Sequence, residues 1–459
     1  MLSLARSKRT VFALVAIFLT ISLLSISRTG VYDKVPIPKL NGDTEKSDSP
    51  LPKPIYKPAP EKPPEIKDNF PRAANAKTSS DLPKIPDWNR PPKPHVREKT
   101  PLFIGFTRNW RLLQQVVVSY ITAGWPPEDI YVVENTGVMN SNRDGKLTLQ
   151  NPFFLDHKRL IKILGINVLI TPTLLTFAQL QNFYTYTAVQ KQWDQYFWAH
   201  MDTVMVSDEE WETDSYRGHK EEHQYVSAYL RALEVLRESM DPSYGPTGPL
   251  ATRWFSYDML ALVRTQAFVD VGGWDTLIPF YMTDCDMHER LWMNNMSIEG
   301  AEAGKVWDLD TALDDLEILY HRGPLEESSK EKPSKKSPKY QEILHKLDDM
   351  QNAKGSREGG RNTWQASQKG GQGEPFYRDS EGFEKGIRMT MEFGRNVFEE
   401  KWGRGPCNLR DVGMVDSDAW RVVKDWEKPE VQKQARKDGE RQAKEEAQRE
   451  KEAKEKVVT

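Results

Sequence analysis

Between residues 101 and 200 the apolar positions follow two periods. Residues 102–106 form a short apolar run of strand length, Thr107, Arg108 and Asn109 break it, and residues 112–123 return with helical spacing. Gly124-Trp125-Pro126-Pro127 stops that helix, and residues 130–133 predict a second strand that ends at Glu134, Asn135, Thr136 and Gly137. Strand, helix and strand in that order form a βαβ unit and imply a parallel sheet. Residues 160–164 read as helical, 165–170 as a third strand, 177–192 as a further helix, and 196–199 as a strand that runs into His200, Met201 and Asp202. The pattern weakens from 203 to 252 and resumes over 256–263 and 268–274. It then meets a polar cluster, Asp284, Asp286, His288, Glu289 and Arg290, which opens a helix ending near Asn295. Residues 318–321 close this block at His321.

The flanks follow other rules. Arg6, Lys8 and Arg9 precede an uncharged apolar run, 10–26, and Arg28 closes it. As a helix rising about 1.5 Å per residue it spans about 26 Å, which suits the thinner membranes of the early secretory pathway. The basic flank keeps the N-terminus cytosolic, so the run reads as a type II anchor, with a cleaved signal peptide as the competing reading. Residues 31–100 hold 15 of the 30 prolines, a composition that favours extended polyproline conformations and reads as a stem. Residues 324–375 are rich in Lys, Ser, Gly and Glu and read mostly as a disordered insertion, with room for a short helix at 340–350. The expected plan is a cytosolic tail (1–9), a transmembrane anchor (10–27), a proline-rich stem (28–100), and an α/β domain (101–323) whose C-terminal part (376–426) follows the insertion (324–375). A charged tail (427–459) without the apolar seam of a coiled coil comes last.

Composition refines this picture. The 38% hydrophobic content and 14 tryptophans support a buried core, and the 29% charged content fits polar flanks. A net charge of −3 gives no field that points to nucleic acid. Cys285 and Cys407 are too few for a disulfide scaffold and have no metal-binding spacing; one pair and two free thiols both stay open. Asn295-Met296-Ser297 is a glycosylation sequon.

In an open α/β sheet, ligands sit beyond the carboxyl ends of the strands. Three polar groups fall there: Thr107 with Arg108, Glu134 with Asn135, and His200 with Asp202. This order of features resembles the GT-A fold, the Rossmann-like fold of nucleotide-diphospho-sugar transferases, and is closest to the family 2 type, over 101–323 and 376–410. The resemblance implies that Thr107, Arg108, Glu134 and Asn135 hold the nucleoside of a UDP- or GDP-linked sugar. The family's Asp-x-Asp metal motif stands here as His200-Met201-Asp202. Asp202 then carries over as a ligand of Mn²⁺ or Mg²⁺, His200 is a departure within the donor site, and His321 takes the place of a third metal ligand.

The run Val271-Gly272-Gly273-Trp274-Asp275, followed by Thr283 to Leu291, is similar to the family's Gly-Gly-aromatic-Asp segment and its acidic helix. In that alignment Asp284 falls on the catalytic base. Asp286 is a second candidate whose other role is to cap the helix. His288, one turn on, is placed to orient Asp284 or touch the acceptor. An inverting sugar transfer needs such a carboxylate, because the acceptor hydroxyl loses its proton as its oxygen attacks the anomeric carbon. The implied activity is transfer from a nucleotide-diphosphate donor to a glycan, glycoprotein or glycolipid hydroxyl in the Golgi or ER lumen. Two readings from other classes stay open: a non-catalytic GT-A-like subunit of a glycosylation complex, and a membrane tether with a merely structural middle domain.

Overall fold

The computed structural model describes residues 53–59, 61–209, 226–241, 249–320, 338–356 and 368–430, with 433 and 441. The expected anchor, most of the charged tail and His321 lie outside them. Among the described residues no helix is long and apolar enough to cross a membrane. The chain divides into two compact units, 1–61 and 62–459; the described residues of the first are exposed and form no helix or strand.

In the second unit, seven strands form one sheet in the order β3-β2-β1-β4-β7-β6-β8. These are β1 (Leu102–Phe106), β2 (Ile130–Glu134), β3 (Asn167–Ile170), β4 (Gln195–Ala199), β6 (Leu250–Phe255), β7 (Leu260–Arg264) and β8 (Ser297–Ala301), and β5 (Thr203–Val206) pairs with β9 (Lys305–Asp308) in a small second sheet. Strands β1 to β4 run parallel, β7 is antiparallel to both its neighbours, and β8 is parallel to β6. This mostly parallel arrangement is a Rossmann-like α/β fold.

Period-two burial explains how the sheet is covered on both faces. Leu102, Ile104, Phe106, Phe197 and Ala199 face one core, which holds helix α2 (Trp110–Thr122). Phe103, Tyr196 and Trp198 face the other, under α3 (Phe177–Gln190), α5 (Thr265–Asp270) and α6 (Thr283–Met293). Gly105 lies on this second face, where a Cβ would collide with the Tyr184 hydroxyl and with Leu180. The cap of α3 matches its sequence: Thr176 Oγ1 accepts from Gln179 N, and the Gln179 side-chain oxygen accepts from Thr176 N. Helix α4 (Ala228–Ser239), in the weakly patterned stretch, starts on Ser227 and packs Tyr229, Ala232 and Leu236 into the first core.

Two segments differ from the sequence expectation. The ordered block begins before residue 101. Short helix α1 (Pro71–Asn75) sets Phe70 and Ala73 into the main core, and Asn69, fully buried, binds the carbonyls of Arg111 and Leu313 and accepts from Gln114. Proline favours extended backbone here, but Pro71 occupies the first helical position, where no N–H is needed. The second is α7 (Pro338–Gly355), which extends past both ends of the short helix allowed at 340–350 and is docked: Tyr340, Ile343, Leu344 and Leu347 are all buried in the same core. Their i, i+3, i+4, i+7 spacing is an apolar helical stripe, and its docking outweighs the polar composition around it. Helix α8 (Ser380–Trp402) follows and ends at Gly403, whose φ of 69° makes the left-handed cap.

Candidate active site

The chain leaves β1 toward β2 and β3, then returns to place β4 on the other side of β1. That reversal opens a crevice between the carboxyl ends of β1 and β4, where open α/β sheets bind ligands. Thr107 and Met201 meet across it, Oγ1 to Sδ at 3.9 Å. His200 follows β4 directly, its N–H bonded to the Met259 carbonyl.

The turn from β6 to β7 supplies a residue that the sequence pattern did not reveal. Ser256 and Tyr257 both hold positive φ, 57° and 59°, a strained pair for non-glycine residues. The turn brings Asp258 to 3.7 Å from His200 Nε2. Burial opposes charge on the imidazole, but Asp258, backed by Asp202 and Asp308, overcomes it and raises the His200 pKa to about 9. Burial likewise pushes Asp258 up, and His200 and His288 outweigh it and hold it below the usual carboxylate value. The two form an ion pair at the mouth of the crevice.

Helix α6 carries the other half of the site. Burial drives His288 down to about 4, against the pull of Asp284 and Asp258, so at neutral pH it is uncharged. Its ring lies 4.7 Å from Trp254 and 6.3 Å from Trp274. Trp274 is pinned by Asn182, which accepts from its N–H and donates to its carbonyl, each at 2.8 Å. Asp284 is partly exposed and has no hydrogen-bond or ion-pair partner among the described residues. A carboxylate so placed is available to take a proton.

Asp286 is not available, which corrects its candidacy as a catalytic group. It is fully buried and receives Arg290 at 2.9 Å, Lys401 Nζ at 2.7 Å and the Trp402 indole N–H at 2.9 Å. Arg290 also donates to the carbonyls of Val271 and Gly273, and Lys401 reaches Asp275 at 2.8 Å. Burial alone would raise the Asp275 pKa, but Lys401 lowers it. Asp286 is therefore the hub that fixes the Gly-Gly-Trp loop and the end of α8 to α6. Cys285, between the two aspartates, is disulfide-bonded to Cys407, with Cα atoms 5.7 Å apart.

Two donor-site candidates at the end of β2 are also committed elsewhere. Glu134 is buried, and its carboxylate accepts from Asn142 and meets His157 Nε2, both at 2.7 Å. Asn135 closes the loop after β3, donating to the Leu175 carbonyl and accepting from Leu175 N. Neither presents a free group to a nucleoside. Arg108 is buried with its guanidinium 4.5 Å over Phe383, in a small cavity shared with Asn151 and Arg378. Burial and Arg378 lower its pKa to about 10, so it remains charged.

Asp202, the implied ligand among the described residues, does not fit the divalent cation that the resemblance implies. Asp202 is buried, and its Oδ2 accepts from Lys354 Nζ at 3.1 Å; the same ammonium donates to Asp308 Oδ1 at 2.5 Å. Both carboxylates that face each other here are thus already matched by a cation. Among the described residues no group of three or more His, Cys, Asp or Glu side chains could hold a metal ion. Burial, then Asp202, raises the Asp308 pKa even so. Sequence reading missed Asp258, Asp308, Lys354 and Arg378, because each reaches the site from an element whose packing partner is far along the chain.

No protein-family model matches this chain, and no curated protein matches it. Solved structures do. A mannosyltransferase from Pyrobaculum calidifontis, in complex with GDP-Man and Mn²⁺, aligns at 11% identity over 47% of this chain and 58% of its own, with a TM-score of 0.29. A cytidylyltransferase from Leptospira borgpetersenii aligns at 10% identity over 56% of this chain and 98% of its own, with a TM-score of 0.30. TarS of S. aureus aligns at 10% identity over 67% of this chain and 56% of its own, with a TM-score of 0.28. The chain therefore spans under two thirds of the length of the mannosyltransferase. The fold assignment rests on the strand order and directions.

Proposed function

We propose that this chain is a glycosyltransferase that moves a sugar from a UDP- or GDP-linked donor to a hydroxyl acceptor, with inversion. The observation that carries the reading is the run His200, Asp258, His288, Asp284. It runs from the switch-point crevice to the carboxylate of α6, two places 84 residues apart in the sequence. The donor diphosphate belongs in the crevice between β1 and β4. The His200 charge at the end of β4 is balanced by Asp258, and the adjacent guanidiniums of Arg108 and Arg378 bring positive charge to the end of β1. In the transfer, Asp284 takes the acceptor hydroxyl's proton, the acceptor oxygen bonds to the anomeric carbon, and the diphosphate leaves with the electrons of the bond that breaks.

The acceptor is a glycan, glycoprotein or glycolipid hydroxyl, and the setting is the lumen of the Golgi or ER, reached through a type II anchor at residues 10–27. The Cys285–Cys407 bond supports an oxidising compartment, where such pairs persist. The test is a thermal-shift titration of the full-length chain with UDP, GDP and their sugar conjugates, followed by release of free nucleotide from the conjugate that binds. A rise in Tm with one nucleotide and turnover of its sugar conjugate is expected. A folded protein that binds no nucleotide would instead be the non-catalytic partner of a glycosylation complex.

A further inference from the structure

The cation between Asp202 and Asp308 comes from an unexpected place. Lys354 lies in the last turn of α7, a helix built from the segment whose composition reads as disordered. Three anchors besides the apolar stripe set that turn over the small sheet. The Tyr340 hydroxyl donates to the Ser207 carbonyl and accepts from Glu209 N, the Trp307 indole N–H donates to Asp348, and Asp308 N donates to Gln351. Asp308 pairs in register with Thr203, the residue after Asp202, so the strand pairing itself brings the two carboxylates together. Lys354, 2% exposed, then enters between them.

A buried lysine is costly unless paired, and two facing carboxylates are costly unless a cation separates them. Each problem here solves the other. A divalent cation would need six or more oxygen ligands, or a few carboxylates and several waters, in the same place. It would also have to expel an ammonium held by two acceptors and tethered by a docked helix. We propose that Lys354 is the resident cation of this site. The chain binds its nucleotide donor without Mn²⁺ or Mg²⁺, and α7 is the element that makes this possible. The donor half of the proposal rests on the transferase reading above; the exclusion of metal does not.

Two measurements separate them. The first is Mn²⁺ binding to the full-length chain, followed by loss of the free-ion electron paramagnetic resonance signal. Wild type is expected to leave the signal unchanged through millimolar Mn²⁺. Lys354→Ala, which uncovers two carboxylates, is expected to bind one Mn²⁺ per chain, and Lys354→Ala with Asp202→Asn to lose it. One Mn²⁺ per wild-type chain, abolished by Asp202→Asn, would overturn the proposal. Should Lys354→Ala fail to fold, Lys354→Arg serves as a second variant: a folded Lys354→Arg that excludes Mn²⁺ as wild type does supports a resident cation, and a folded Lys354→Arg that binds Mn²⁺ would overturn it. The second measurement is the Tm rise given by UDP and GDP in EDTA and in Mn²⁺. Equal rises are expected, and a rise seen only with Mn²⁺ would overturn the proposal while leaving the transferase reading intact. No rise in either buffer, with Mn²⁺ still excluded, would sink the transferase reading and leave the resident cation standing.

Discussion

Replacing Asp286 by Asn leaves Lys401 and Arg290 buried beside a neutral amide. Breaking a buried pair from one side costs about 3–5 kcal/mol, and that loss is the expected result in urea unfolding. Asp284→Asn, two residues earlier and without such partners, should change stability by no more than about 0.5 kcal/mol. It should lower sugar transfer by roughly 10²–10⁴ while nucleotide binding is kept. Full activity in Asp284→Asn would move the base elsewhere. The histidines make opposite predictions with pH. His288 has a folded pKa of about 4, so between that value and its ordinary 6.5 the unfolded chain binds more protons. Stability therefore falls as pH drops through that window, by on the order of 3 kcal/mol, and His288→Gln should flatten this acid limb in urea midpoints taken from pH 4 to 7. His200 is raised to about 9, so its contribution is complete below 6.5 and fades as pH rises through 9. Asp258, lowered, contributes above its ordinary value and loses its share in acid. His200→Gln should accordingly flatten the alkaline limb and leave the acid one unchanged apart from Asp258.

At the scale of elements, the legible parts were those whose pattern closes locally. Strands β1 to β4 and helices α2 and α3 follow from period two, period 3.6 and the Gly and Pro stops between them, and they fall within a few residues of expectation. Asp284 and His200 were singled out for the same reason, because each stands at the terminus of a patterned element. What stayed hidden depends on pairing across long separations. Lys354 and Asp202 are 152 residues apart, and nothing near either one announces the other. Helix α7 shows a different obstacle: its apolar stripe was present, but the surrounding Lys, Ser, Gly and Glu suggested solvent. Its docking predicts that Leu347→Ala costs about 2–5 kcal/mol, as for any buried leucine, measurable as a lower urea midpoint with unchanged slope. A neutral result would mean that the segment is the polar insertion its composition suggests. The stem was overdrawn in the same way, since proline counts conceal single anchors such as Asn69 and Phe70.

Across the whole molecule, the C-terminal part exists to hold α6 in place. Lys401 and Trp402 grip Asp286, Arg410 N donates to Glu289, and Cys407 bonds to Cys285, so four residues of one short segment reach three positions of the helix that presents Asp284. The disulfide closes a loop of 122 residues, and a loop of that size removes about 4–5 kcal/mol of chain entropy from the unfolded state in the simplest model. Cysteine counting left this pairing open, because two cysteines carry no pattern and only the return of the chain to α6 brings them together. With dithiothreitol present during urea unfolding, the midpoint should fall by an amount equal to about 2–5 kcal/mol, and Cys285→Ser with Cys407→Ser should show the same midpoint with or without reductant. Thiol alkylation of the unreduced, unfolded chain should label neither cysteine. If alkylation labels both, the clamp relies on the partners of Asp286 and on the Arg410–Glu289 bond.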